Sequence, residues 1–95
     1  MNDFKYYPKA TSLFKKDLKL IKKRKYDISL LDEVIETLAK GETLAAKYDD
    51  HQLLGGKYKG CRECHITPDW LLIYEIADKI LYLYLTRTGT HSDLF

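Results

Sequence analysis

Apolar positions along the chain change period near its middle. In the first part they recur at helical spacing. Phe14, Leu18 and Ile21 fall at i, i+4 and i+7 and mark one narrow stripe, with Thr11 or Ser12 as the cap and an end near Lys25. Asp27 suits the cap of a second helix over residues 28–40. Leu31, Val34, Ile35 and Leu38 form its buried face, and Asp32, Glu33 and Glu36 sit towards its positive N-terminal end. Gly41 stands where a helix ends in a left-handed residue. Two short helices with so brief a link predict an antiparallel hairpin. Before them, Asp3-Phe4-Lys5-Tyr6-Tyr7 reads as a short strand closed by Pro8. After them, residues 42–56 form a longer connection ending in Gly55-Gly56.

From Lys57 onward the period is that of strands. Residues 57–66 make one run, broken at Thr67-Pro68-Asp69. A second spans 70–76 and turns at Asp78-Lys79. A third spans 80–87, alternates leucine with tyrosine, and ends at Thr88-Gly89-Thr90. Links this short imply an antiparallel meander. The expected fold is therefore α+β: a small sheet in the order β-α-α-β-β-β, packed on an N-terminal helical hairpin. One conflict of phase stands out. Arg87 shares parity with Leu81, Leu83 and Leu85, the side that alternation would bury, so either Arg87 lies beyond the packed region or the tyrosine side meets the helices.

Composition narrows the class. Ninety-five residues, 45% hydrophobic and 32% charged, suit one domain over 1–95. No apolar stretch is long enough to span a membrane, and no basic-then-apolar leader opens the chain, so the expected compartment is the cytoplasm with both cysteines reduced. The net charge of +2 hides a strong polarity. Residues 1–26 hold nine Lys and Arg against two Asp and Glu, residues 27–50 hold two against seven, and the remainder is balanced at five each. The basic third includes Lys15, Lys16, Lys19, Lys22 and Lys23 on one helix. Lys15–Lys19 and Lys19–Lys23 repel each other at i, i+4, which points to an anionic partner; the plain alternative is a solvated face.

The three histidines, His51, His65 and His91, all lie at boundaries of the sheet region, with Asp69 and Arg87 in the same part of the chain. Imidazole titrates near neutrality, and a His/Asp/Arg set can move protons and stabilise a phosphorane-like charge. Cys61-Arg62-Glu63-Cys64-His65 has the spacing of a c-type haem attachment. Haem attachment of that kind needs export, and a strand would send the two thiols to opposite faces. A zinc knuckle would need a turn that only Gly60 suggests, so both thiols read as small buried groups. Gly55-Gly56-Lys57 lacks the spacing of a phosphate loop.

Three segments together carry a resemblance: Asp50-His51-Gln52-Leu53-Leu54-Gly55-Gly56, Arg62-Glu63-Cys64-His65-Ile66-Thr67-Pro68-Asp69-Trp70, and Arg87-Thr88-Gly89-Thr90-His91-Ser92-Asp93-Leu94-Phe95. In this order and spacing the chain resembles the YafQ family of bacterial toxins, within the RelE/ParE superfamily. The resemblance implies a RelE-like fold and the toxin half of a toxin–antitoxin pair. It further implies a metal- and cofactor-independent endoribonuclease that cuts mRNA in the ribosomal A site. The family's functional positions match here at His51, His65, Asp69, Trp70, Arg87, His91 and Phe95. The expected partners are the ribosome, with its mRNA and ribosomal RNA, and a small cognate antitoxin of the DinJ kind.

On that reading the 2′-hydroxyl attacks its own phosphate, with His91 as the acid and Asp69 or His65 as the base. Arg87 stabilises the developing charge, and His51 orients the phosphate or a neighbouring group. Trp70 stacks on a base or sits in the core, and Phe95 presses on a base. Lys15, Lys19, Lys22 and Lys23 grip ribosomal RNA phosphates. Two other classes remain open, a non-catalytic ParE-like toxin and an RNA-binding module. The histidine set separates the nuclease reading from the ParE-like toxin, and an RNA-binding module would keep the basic helix but survive loss of His91.

Overall fold

The computed structural model describes residues 4–95. Its elements are β1 (Tyr7–Ala10), α1 (Ser12–Lys23), α2 (Ile28–Ala39), a single 3-10 turn (Ala46–Tyr48), β2 (His51–Gln52), β3 (Arg62–Thr67), β4 (Trp70–Ala77), β5 (Tyr82–Gly89) and α3 (His91–Leu94). The five strands form one sheet in the order β1-β5-β4-β3-β2. Every neighbouring pair is antiparallel except β1, which runs parallel to β5. The expected α+β class, helical hairpin and meander are all present.

Each helix begins where its cap residue stands. The Thr11 hydroxyl accepts from the Phe14 N–H at 3.0 Å and donates to the Thr86 carbonyl at 2.8 Å, so it starts α1 and ties it to β5. Asp27 accepts from the Ser29 N–H at 3.0 Å. Phe14 and Ile21 of α1, with Leu31, Val34 and Leu38 of α2, bury against Leu72, Tyr74, Leu83 and Leu85 on one face of the sheet. A smaller cluster of Tyr58, Leu71, Ile73 and Leu94 occupies the other face.

Three strand boundaries differ from the sequence expectation, one of them that of β5, which runs Tyr82–Gly89 rather than 80–87 because residues 78–81 form the turn before it. The first strand is Tyr7–Ala10, one that includes Pro8, rather than residues 3–7; Asp3 lies outside the described residues. Pro8 is tolerated because β1 is an edge strand. The N–H groups of Tyr7 and Thr11 point to β5, donating to Leu81 and Leu85 at 2.8 and 3.1 Å, so the intervening Pro8 position faces away from the ladder. The run expected over 57–66 is strand only from Arg62, because residues 57–60 form a turn in which Gly60 adopts φ +93°. The two-residue β2 and the one-turn α3 are too short to show a period, and neither was expected.

Thr86 resolves the phase conflict. Tyr74 pairs with Leu85 and Ile73 with Arg87, so Thr86 is an extra residue that bulges out of register. Before the bulge Leu83 and Leu85 face the helices. After it Thr88 does, while Arg87 and Gly89 turn to the face opposite the α1–α2 hairpin.

Candidate active site

The face opposite the α1–α2 hairpin gathers most of the chemistry flagged in the sequence. Strand register sets His51 opposite Glu63, Glu63 opposite Ile73, and Ile73 opposite Arg87, giving one row straight across four strands. In the adjoining row His65 lies opposite Leu71 and Leu71 opposite Gly89. Directly paired residues share a face, so both histidines and Arg87 stand on the same side of the sheet. Thr90 and His91 follow Gly89 and lead into α3. Gly89 lets α3 lie close: a Cβ there would stand 3.0 Å from Asp93 Cβ and Oδ2, so α3 would have to give way slightly.

The β2–β3 end holds an imidazole pair around one carboxylate. His51 Nε2 is 3.4 Å and His65 Nε2 3.7 Å from Glu63 Oε1, and His65 Nε2 is 3.6 Å from Asp49. The outer nitrogens meet backbone carbonyls: His51 Nδ1 is 2.6 Å from Asp49 O, and His65 Nδ1 is 3.3 Å from Pro68 O. A carbonyl only accepts, so each Nδ1 carries a proton and each Nε2 is the nitrogen turned to the Glu63 carboxylate. Beneath this pair, the Asp50 carboxylate accepts from the Tyr74 hydroxyl at 2.6 Å and from Arg62 Nε at 3.3 Å, which anchors the segment bearing His51. Burial, with the Asp50 carboxylate beside it, raises the Tyr74 hydroxyl pKa.

The β5 end is organised around Arg87. Its Nε and Nη2 donate to Asp17 of α1 at 2.7 and 2.9 Å, and Nη1 donates to the Tyr58 hydroxyl at 3.0 Å. The Asp17 bonds are the main reason its pKa is raised further, so the guanidinium is a permanent cation. Of its five N–H groups three are thus committed and two have no partner among the described residues. The fork with which a guanidinium can grip a phosphate is occupied by Asp17. Tyr58 meets Phe95 edge-on at 5.5 Å, and Phe95 stacks on the His91 ring at 4.9 Å. His91 and Phe95 are exposed.

Asp69 sits in the β3–β4 turn, at the same end of the sheet as Thr90, and makes no hydrogen bond or ion pair with a described residue. The ring of Trp70 does not belong to the site. It is 2% exposed, packs edge-on against Tyr26 at 5.1 Å and donates from Nε1 to Thr88 Oγ1 at 2.8 Å. A nucleotide base has no access to it, so of the two roles open to Trp70 the structure selects the core. Lys15, Lys19, Lys22 and Lys23 are all exposed on α1. Cys61 packs with the smaller cluster around Leu71 and Ile73 and Cys64 with the core under the α1–α2 hairpin, on opposite faces, and burial pushes the Cys64 thiol up to about 12. Among the described residues no group of three or more His, Cys, Asp or Glu is arranged to hold a metal ion.

Four side chains of this site were not singled out in the sequence: Glu63, Asp49, Asp17 and Tyr58. Glu63 was legible, since it stands two residues before His65 on a strand and so shares its face. Asp17, the single acid within a run of lysines, was a weaker signal of the same sort.

Residues 6–95 match the family model described as bacterial toxin of type II toxin-antitoxin system, YafQ. The chain is 43% identical over 83 residues to the mRNA interferase toxin YafQ of Escherichia coli strain K12, covering 86% of this chain and 87% of that protein. A chain of the E. coli DinJ–YafQ toxin–antitoxin complex superposes with a TM-score of 0.85 at 38% identity, over 96% of this chain and 98% of that one. YafQ from E. coli strain BL21(DE3) gives 0.86 at 37% identity, over 95% and 98%. The chain belongs to the YafQ family of type II toxin–antitoxin toxins.

Proposed function

We propose that this protein is a ribosome-dependent endoribonuclease that cuts mRNA in the ribosomal A site and is held in check by a cognate antitoxin of the DinJ kind. The carrying observation is the shared face opposite the α1–α2 hairpin, with His51 and His65 at one end and Arg87 and His91 at the other. At backbone level the His65 and Gly89 positions are two strand spacings apart, about 10 Å. That gap admits a ribose-phosphate unit between a base on one side and an acid on the other. The relatives named mRNA interferase toxin, and the solved DinJ–YafQ complex, support the same reading.

In the proposed reaction His65 Nε2 takes the proton from the 2′-hydroxyl, which attacks the adjacent phosphorus. His65 is preferred to Asp69 because its Nδ1–H is held by the Pro68 carbonyl and its Nε2 lies beside the Glu63 and Asp49 carboxylates, which favour the imidazolium formed when it takes a proton. The two uncommitted N–H groups of Arg87 meet the charge that grows on the phosphoryl oxygens. His91 gives its proton to the departing 5′ oxygen, and Phe95, stacked on His91, presses on the neighbouring base. His51 and Glu63 orient His65. The products are a 2′,3′-cyclic phosphate and a 5′-hydroxyl. Lys15, Lys19, Lys22 and Lys23 bind ribosomal RNA phosphates, on a flank of α1 separate from Asp17. Polynucleotide kinase labelling tests the chemistry: the downstream fragments accept phosphate without prior phosphatase treatment. Fragments that label only after phosphatase would carry 5′-phosphates and overturn the 2′-hydroxyl route.

A further inference from the structure

Helix α1 reaches into the site through two side chains that belong to neither its buried stripe nor its lysine flank. Asp17 holds Arg87 by two hydrogen bonds and also accepts from the Thr88 N–H at 3.1 Å, a β5 donor beyond the end of β1. Arg24, at the C-cap of α1, donates through Nη1 and Nη2 to the two carboxylate oxygens of Asp93 at 2.6 and 3.0 Å. Asp93 in turn closes α3 by accepting from the Thr90 N–H at 2.9 Å, while its own N–H donates to Thr90 Oγ1 at 3.1 Å. Seven residues, about two helical turns, separate Asp17 from Arg24, which puts both on one side of α1.

Both contacts are fork-to-fork pairs, the geometry that fixes orientation as well as charge. The Asp17–Arg87 pair is well shielded, with side chains 12% and 15% exposed. Shielded ion pairs add little stability over apolar packing of the same shape, so their geometry is the more direct reason for them. A four-residue helix has no stability of its own, and α3 carries His91. We infer that Asp17 and Arg24 are positioning residues for RNA cleavage. Asp17 sets which two N–H groups of Arg87 face the phosphate, and Arg24, through Asp93, holds α3 so that His91 stays over the leaving oxygen. This inference rests on the nuclease reading above.

The test uses the full chain with Arg24→Ala, Arg24→Lys and Asp17→Asn, assayed for cleavage on programmed ribosomes, alongside amide exchange at Leu94 and Phe95. Those two amides close α3 onto Thr90 and His91. Arg24→Ala is expected to lower kcat ten- to a hundredfold with KM within about twofold, and to speed exchange at both amides. Arg24→Lys keeps the charge without the fork and recovers only part of the rate. Asp17→Asn is expected to lower kcat similarly without altering exchange in α3. A rise in KM at constant kcat, fully rescued by lysine, would make Arg24 an ordinary phosphate contact and overturn its part. Unchanged kcat in Asp17→Asn would overturn the other part. Should Asp17→Asn fail to fold, Asp17→Glu replaces it and is expected to lower kcat by misaiming Arg87, an unchanged rate again counting against the inference. Amide exchange needs no catalysis, so failure of the nuclease reading shows up separately, as a wild type that does not cut while α3 still loosens in Arg24→Ala.

Discussion

Leu85 and Arg87 stand two residues apart on β5 yet face opposite sides of the sheet. Leu85 packs among the helix-side residues, and Arg87 stands beside Ile73 and Tyr58 on the far side. The single unpaired residue between them, Thr86, makes the change of face, and its carbonyl is held by the Thr11 hydroxyl that starts α1. Were Thr86 instead paired in the ladder, the alternation that buries Leu83 and Leu85 would drive the guanidinium into the core.

Deleting Thr86 should therefore be survivable. Leu85 and Arg87 become consecutive and still pair with Tyr74 and Ile73, so the ladder turns regular and Arg87 keeps its face, while the carbonyl held by the Thr11 hydroxyl is lost. Thermal unfolding is expected to show a cooperative native state of lowered Tm for the deletion, whereas Thr86→Ala, which keeps that carbonyl, stays within a few degrees of wild type. Loss of any cooperative transition in the deletion would contradict this reading of the register.

Trp70 separates core from substrate contact. Trp70→Ala removes a large buried ring and strips Thr88 Oγ1 of a donor, which should cost about 3 to 5 kcal/mol in stability. Urea denaturation checks this. A variant of unaltered stability but raised KM would return the ring to the role of a base platform.

The lysine flank makes a claim about salt. If Lys15, Lys19, Lys22 and Lys23 each neutralise one phosphate, replacing all four with alanine should reduce the slope of log affinity for ribosomes against log salt by about 3. Single-turnover cleavage within the preformed complex should change little. An unchanged slope would make the flank a solvated surface.

The Arg24–Asp93 contact carries a pH signature. Hydrogen bonds from Arg24 hold the Asp93 carboxyl well below the usual carboxylate range. A depressed value stabilises the folded state in full above the unfolded aspartate pKa of about 3.9, and that contribution is lost as pH falls towards the depressed value. Wild type should thus unfold at a higher temperature than Asp93→Asn at pH 6, with the gap narrowing as the pH is taken from 4 to 2. A gap of constant size down to pH 2 would contradict the contact.

The elements with a full period were legible in the chain. Phe14, Leu18 and Ile21, then Leu31, Val34 and Leu38, place both helices within two residues of their observed ends, and the leucine–tyrosine alternation places β5. What escaped was set by tertiary context. Pro8 read as a terminator because nothing local shows that β1 lies on an edge. The phase of Arg87 conflicted because a bulge leaves no mark in the hydrophobic pattern. In the site, His51, His65 and Arg87 do share a face, while the residues that hold them, Glu63, Asp17 and Tyr58, come from distant segments whose meeting no spacing rule shows.

The most direct test of the central claim is primer extension on an mRNA translated in vitro, with wild type and His91→Ala, each with and without ribosomes. Discrete codon-phased cuts that require both ribosomes and His91 are the expected result. Absence of cuts with wild type, or equal cutting by His91→Ala, would contradict the account.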